Sequence, residues 1–335
     1  MMAEGYSNGG LSPRQSRSAS LAGETRPFGD ILAARVHKRE SQIVLGLDPD
    51  PGMLWPSAGE SDEGDVDEND DEYAAPAERV IFPVVHHCAM VIDAVADACV
   101  AVKLQLACFE RLGPVGWTAL DELVTYARRS GLLVIADGKR GDIDISARAY
   151  AQALFDGTDT PYGHVRGLEV DLATVNPLMG KDAVEPFVTA ARKCSAGVLA
   201  LVRTSNPGAA DVEDLQLAGG GTVWERLATI VDELGRPGVG THGLSDVGAV
   251  VGATAPGHVA RARELMPNAV FLLPGVGAQG GCVEDLAPAF APGRAGGLVT
   301  ASRSIVNAYL INGGDPAAAA RAEAERLRAA AWKLG

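Results

Sequence analysis

Cysteine is scarce: the 335 residues include five, Cys88, Cys99, Cys108, Cys194 and Cys282, an odd number with no CxxC pair. Their scatter argues against a disulfide framework and against a thiolate zinc site, and free, mostly buried thiols are expected. Aromatic residues make up only 5% of the chain. The four tryptophans, Trp55, Trp117, Trp224 and Trp332, form no stacking platform for nucleic acid and read as packing residues. No run approaches the roughly 18 uncharged apolar residues that a membrane helix needs, and the N-terminus lacks the apolar segment of a secretory leader. The expected setting is therefore the cytoplasm, with no membrane partner. Basic residues are the minority, and a net charge of −14 argues against a nucleic-acid partner. His86, His87, His164 and His242 are irregularly spaced, so no metal site is expected. No GxxxxGK[ST] nucleotide loop occurs either.

An apolar fraction of 47% is enough for a sizeable core. The negative charge is uneven: residues 60–72 carry nine acidic side chains and no basic one. Such a block repels itself and reads as a solvated insertion, at about residues 57–75. The first 26 residues, rich in Ser, Gly and Arg, read as a disordered tail, and folding is expected to begin near Phe28. From there short apolar runs alternate with amphipathic segments, as in parallel strands joined by crossover helices. Eight strands are expected, at 42–49, 98–105, 132–139, 169–176, 197–204, 247–253, 269–276 and 297–304. Helices are expected at 76–97, 117–129, 182–193, 222–234 and 315–333. Eight units in about 300 residues suit a (β/α)8 TIM barrel of the α/β class, one catalytic domain over residues 27–335, better than an open sheet.

Chemistry in that fold collects at the C-terminal strand ends, and the polar residues fall there. Asp48 ends the first strand, Lys103 stands near the end of the second, and Asp137 and Lys139 end the third. Asn176 ends the fourth, Thr204 and Ser205 the fifth, and Arg303 closes the eighth. Side chains two apart on a strand share a face, so Asp137 and Lys139 are expected together, with Asp142 reachable from the loop beyond. An isolated Asp-x-Lys is most often a structural ion pair; so many charged strand ends fit a convergent active site better.

The stretch Pro274-Gly275-Val276-Gly277-Ala278-Gln279-Gly280-Gly281 contains a formal GxGxxG. The acidic residue that a dinucleotide site needs about 20 positions on is missing, since that region reads Arg294-Ala295-Gly296-Gly297-Leu298. A loop that offers backbone N–H groups and the Gln279 amide to a single phosphate, with Arg303 as its charged partner, fits better.

Taken in order, Gly46-Leu-Asp48-Pro49, Lys103, Asp137-Gly-Lys139-Arg-Gly-Asp142, Asn176-Pro-Leu-Met-Gly180, Arg203-Thr-Ser205-Asn-Pro-Gly208, the 274–281 loop and Ser302-Arg303-Ser304 resemble the longer bacterial (type 2) form of orotidine 5′-monophosphate decarboxylases. The resemblance spans about residues 29 to 312. It implies decarboxylation of orotidine 5′-monophosphate to UMP without metal or organic cofactor, a reaction near the top of enzymatic rate enhancements, around 10^17-fold. It also implies a catalytic array of Lys103, Asp137, Lys139 and Asp142, with Lys139 protonating C6. Asp48 and Lys103 would then contact the ribose and Ser205 the pyrimidine, while Pro274, Gly277, Gln279, Ser302 and Arg303 would surround the phosphate. A homodimer is implied too, with Asp142 and Ser146 reaching the partner's site. The alternatives are a Mg2+-dependent sugar-phosphate enzyme of the same barrel superfamily, which would need another carboxylate where Lys103 stands, and a non-catalytic phosphate-binding barrel.

Overall fold

The computed structural model describes residues 25–59, 75–277 and 280–335, so all but the last two residues of the expected 1–26 tail, and the acidic block at 60–72, lie outside the described residues. In chain order the main elements are α1 (Phe28–Arg39), β1 (Ile43–Leu47), α2 (Pro76–Val95), β2 (Ala101–Gln105), α3 (Leu106–Glu110), α4 (Pro114–Arg129), β3 (Leu133–Arg140) and α5 (Asp144–Leu154). There follow β4 (Thr158–Thr160), β5 (Gly163–Val165), β6 (Leu172–Val175), α6 (Lys181–Lys193), β7 (Gly197–Arg203), α7 (Val223–Gly235), β8 (Val247–Val251) and α8 (Pro256–Leu265). The chain ends with β9 (Phe271–Leu273), β10 (Gly297–Ala301), α9 (Arg303–Val306), α10 (Ala308–Asn312) and α11 (Pro316–Trp332).

Eight of the ten strands, β1, β2, β3 and β6 to β10, pair in parallel and close into a barrel, with β10 returning to β1. Each matches an expected strand, although the expected runs overshoot. Val100 and Asp171 already hydrogen-bond into the sheet before β2 and β6 begin, so apolar burial starts ahead of the regular ladder. Beyond the barrel, β4 and β5 form a small antiparallel hairpin that the apolar pattern does not announce, because its strands are exposed. Helices α1, α3, α5, α8, α9 and α10 are also additions; α5 starts just after the Asp142 loop, and apart from α1 all are short. No helix among the described residues is long and apolar enough to cross a membrane.

Alternation along the strands builds two apolar layers. Ile43, Leu45, Val102, Leu104, Val134, Ala173, Val198 and Val299 face outward against the helices. Val44, Ala101, Leu133, Ile135, Leu172, Leu199, Val250 and Leu298 fill the barrel, and Phe28, Leu32 and Val36 of α1 plug its N-terminal end. Asp30 fastens that plug by accepting hydrogen bonds from the backbone and side chains of Thr241 and His242. At the same end the Arg263 guanidinium is buried over the Phe271 ring and donates to the carbonyls of Met266, Ala269, Ala289 and Gly296. With the lower barrel filled by aliphatic side chains, only the inward residues one pleat further up remain open to solvent.

Candidate active site

Those upper residues line a cleft of about 530 Å3 at the C-terminal mouth. At its floor Asp137, 5% exposed, stands between two lysines. Lys103 Nζ donates to its Oδ2 at 2.7 Å and Lys139 Nζ to its Oδ1 at 2.7 Å. Gln105 Nε2 also donates to Oδ2, at 3.3 Å, and Thr174 Oγ1 to Oδ1, at 2.8 Å. Four donors therefore saturate one carboxylate. Burial alone would raise the Asp137 pKa, but the Lys103 and Lys139 charges overcome it and hold the group at about 2. Burial pulls on Lys103 in the opposite sense, and the carboxylates of Asp137 and Asp48, the latter 3.7 Å away, outweigh it and raise its pKa. Both groups are thus charged across the range in which proteins work.

The way Asp137 and Lys139 meet differs from simple strand alternation. The β3–β6 register slips between Ala136 and Arg140, and Lys139 takes a left-handed φ of 47°. This bulge redirects the Lys139 side chain, and the Lys139 N–H is held by Thr174 Oγ1 at 2.9 Å.

Of the other expected site residues, Asp48, Ser205, Pro274, Ser302 and Arg303 line the same cleft. Gly46 faces Ser302, and any Cβ on it would collide with Ser302 Oγ. Arg303 is exposed at the start of α9 and has no ion-pair partner among the described residues. Gly277, with φ 74°, sits just outside the cleft lining, and Gln279 lies outside the described residues. The loop is folded on itself: the N–H groups of Gly277, Gly280 and Gly281 donate to carbonyls of Gly281, Gly277 and Gly275. In this conformation those three amides are already bonded, and Arg303 is the cation that lines the cleft on that side. Asn176 does not line the cleft; its Oδ1 accepts from Leu178 N and braces the loop after β6.

Asp142 and Ser146 do not line the cleft of their own chain. Asp142 Oδ1 accepts from Ile143 N at 2.8 Å, and Ser146 is exposed on α5. Around them Ile143, Ile145, Tyr150, Leu178 and Met179 expose apolar surface.

Several cleft residues were not among the expected site residues: Gln105, Thr174, Asn206, Glu213, Thr300 and Ser304, although Asn206 and Ser304 stand in the quoted motifs. The first two were findable, since Gln105 follows Lys103 and Thr174 follows Leu172 by two positions on inward faces. Glu213 comes from the long loop after β7 and was not; it accepts from the backbone and hydroxyl of Thr204 and so orders the chain beside Ser205. Among the described residues no three His, Cys, Asp or Glu side chains converge as metal ligands.

This arrangement can stabilise negative charge that develops next to an ammonium, with an anion anchored at the Arg303 end. Residues 42–322 match the sequence profile of the orotidine 5′-phosphate decarboxylase / HUMPS family. The chain belongs to that family. It is 38% identical over 285 residues to an orotidine 5′-phosphate decarboxylase of Rhodopirellula baltica, covering 84% of this chain and 89% of the relative. The corresponding protein of Deinococcus radiodurans is 39% identical, with 91% of this chain and 98% of the relative covered. Among solved structures, the OMP decarboxylase of Leishmania donovani superposes with a TM-score of 0.64 at 28% identity, over 91% of this chain and 99% of that one.

Proposed function

We infer that this chain decarboxylates orotidine 5′-monophosphate to UMP and CO2, the last step of de novo pyrimidine synthesis, a carboxy-lyase reaction run by fixed charges alone. The observation that carries the reading is Asp137, ionised and saturated by Lys103, Lys139, Gln105 and Thr174 beside an open cleft. When the C6–carboxylate bond breaks, its electron pair remains on C6 with no adjacent electron sink, so the stabilisation must come from the protein. The Lys139 ammonium meets that developing charge and delivers a proton to C6, leaving UMP and CO2. Asp137 is ionised and has no proton to give to the substrate carboxylate, so it repels that group in the ground state, and the repulsion eases as CO2 departs.

Asp48 and Lys103 take the ribose hydroxyls, and Ser205 the pyrimidine. Arg303 and Gln279 hold the phosphate, with Pro274, Gly277 and Ser302 shaping its seat. Binding energy from the phosphate, remote from C6, is available to organise the reacting end. Asp142 and Ser146 act across a homodimer: their exposed segment, flanked by Ile143 and Ile145, carries them into the partner's cleft. The cytoplasm is the setting that fits this step. A divalent cation, by contrast, would need Asp137 oxygens that two ammonium groups already occupy, which disfavours the Mg2+-dependent sugar-phosphate chemistry.

The test is to mix the purified protein with orotidine 5′-monophosphate in excess EDTA and follow the pyrimidine absorbance. Conversion to UMP is expected. No conversion, with Mg2+-dependent activity on a sugar phosphate instead, would overturn the reading.

A further inference from the structure

Thr174 stands at the end of β6, 1% exposed, and its hydroxyl makes two bonds whose directions are fixed by chemistry. The Lys139 backbone N–H, at 2.9 Å, can only donate, so Oγ1 accepts there. The single hydroxyl proton is left for Asp137 Oδ1 at 2.8 Å, which as an ionised carboxylate can only accept. One buried hydroxyl therefore ties the backbone of one charged residue to the carboxylate of another. Both tied groups need holding. Lys139 occupies a left-handed conformation that non-glycine residues avoid, at the point where β3 and β6 lose register. Asp137 Oδ1 also carries the Lys139 ammonium, so the orientation of the carboxylate sets where that ammonium rests. Thr174 is itself well fixed: its β-branched side chain has few rotamers and its backbone lies in a parallel ladder between β3 and β7.

We propose that Thr174 is a positioning residue for the decarboxylation, keeping the Lys139 ammonium and the Asp137 carboxylate in register without taking part in proton transfer. The proposal rests on the decarboxylase reading above. Its effect belongs to the chemical step, because Arg303 and the phosphate seat follow other strands, β10 and β9.

Steady-state kinetics with orotidine 5′-monophosphate and thermal unfolding would be measured for wild type, Thr174→Val and Thr174→Ser, with kcat counted per folded enzyme. Loss of a hydrogen bond to a charged group corresponds to about 10- to 100-fold in rate, so Thr174→Val is expected to lose kcat by that factor with KM within about threefold of wild type. Thr174→Ser, which keeps the hydroxyl, is expected to recover most of the loss. Should Val fail to fold, Thr174→Ala removes the same hydroxyl and carries the same expectation. A valine or alanine variant within about twofold of wild-type kcat, or a serine variant as slow as valine, would overturn the proposal. Wild-type turnover in the same assay separates the two levels: its absence would sink the decarboxylase reading, whereas full turnover with an indifferent Thr174 would sink only this inference.

Discussion

Lys103 and Arg263 are both buried cations, at opposite ends of one barrel, and their surroundings push them in opposite directions. Arg263, at the N-terminal end, has neutral carbonyls around it, and burial lowers its pKa to about 9. Lys103, at the mouth, touches Asp137 and lies near Asp48, and its pKa is raised despite burial. The carboxylates divide the same way. Asp30 at the closed end is met by Thr241 and His242, whereas Asp137 is met by two ammonium groups. The closed end pairs its charges with fixed dipoles and packs them under apolar side chains. The mouth sets charge against charge beside an open cleft, which is a poor way to stabilise a barrel and a good way to hold an electrostatic field for a reaction.

The contrast can be broken most forcefully at Asp137. Asp137→Asn leaves Lys139 without its carboxylate and buried Lys103 with Asp48 alone, so both turnover and stability should fall: kcat by at least about 10^3-fold, and unfolding free energy by roughly 3 kcal/mol in urea melts. A variant that kept its rate would show the mouth to be structural. Arg263→Met probes the other end. It strands several buried carbonyls and should lower stability by about 3 kcal/mol, while kcat per folded enzyme stays within about twofold of wild type. A large loss of kcat there would erase the division between the ends.

Acid sharpens the comparison further. Asp137 and Asp30 sit at about 2 in the folded protein against an ordinary 3.8, so below that ordinary value the unfolded chain binds more protons. Their stabilisation is complete above about pH 4 and is lost as pH falls through 2, with about 2 kcal/mol attached to Asp137 alone. Melts from pH 6 to pH 2 should show the fall, and Asp137→Asn should show less of it; equal slopes would contradict the assignment. The smallest required effect is at the substrate's far end. Arg303→Ala should lower kcat/KM by at least about tenfold, roughly 1.4 kcal/mol, with the melting temperature unmoved, and a smaller loss would remove Arg303 from the phosphate seat.

The two ends also differed in how far the sequence revealed them. The strands were legible because both faces of each are apolar, and Asp48, Lys103, Asp137 and Lys139 were legible because charge at the end of such a strand is rare. The bulge that brings Lys139 onto Asp137 was not, since it depends on a slip against β6 that no local pattern encodes. Thr174 and Gln105 were hidden by their ordinariness, although strand parity pointed inward at both. Glu213 lies 9 residues beyond Thr204, and only the fold of the β7 loop brings them together. At the closed end neither the Asp30 clamp nor the Arg263 cradle could be read, because their partners are 211 and up to 33 residues away and are mostly backbone groups.

The most direct test of the central claim is Lys139→Ala, with turnover and thermal unfolding measured on the same preparation. The Lys139 side chain is 45% exposed and its one ionic contact among the described residues is Asp137, which keeps Lys103. The account predicts decarboxylation reduced by at least about 10^3-fold with a melting temperature close to wild type. A variant that melts many degrees lower but still turns over would mean that the lysine supports the barrel and that the proton reaches C6 from elsewhere.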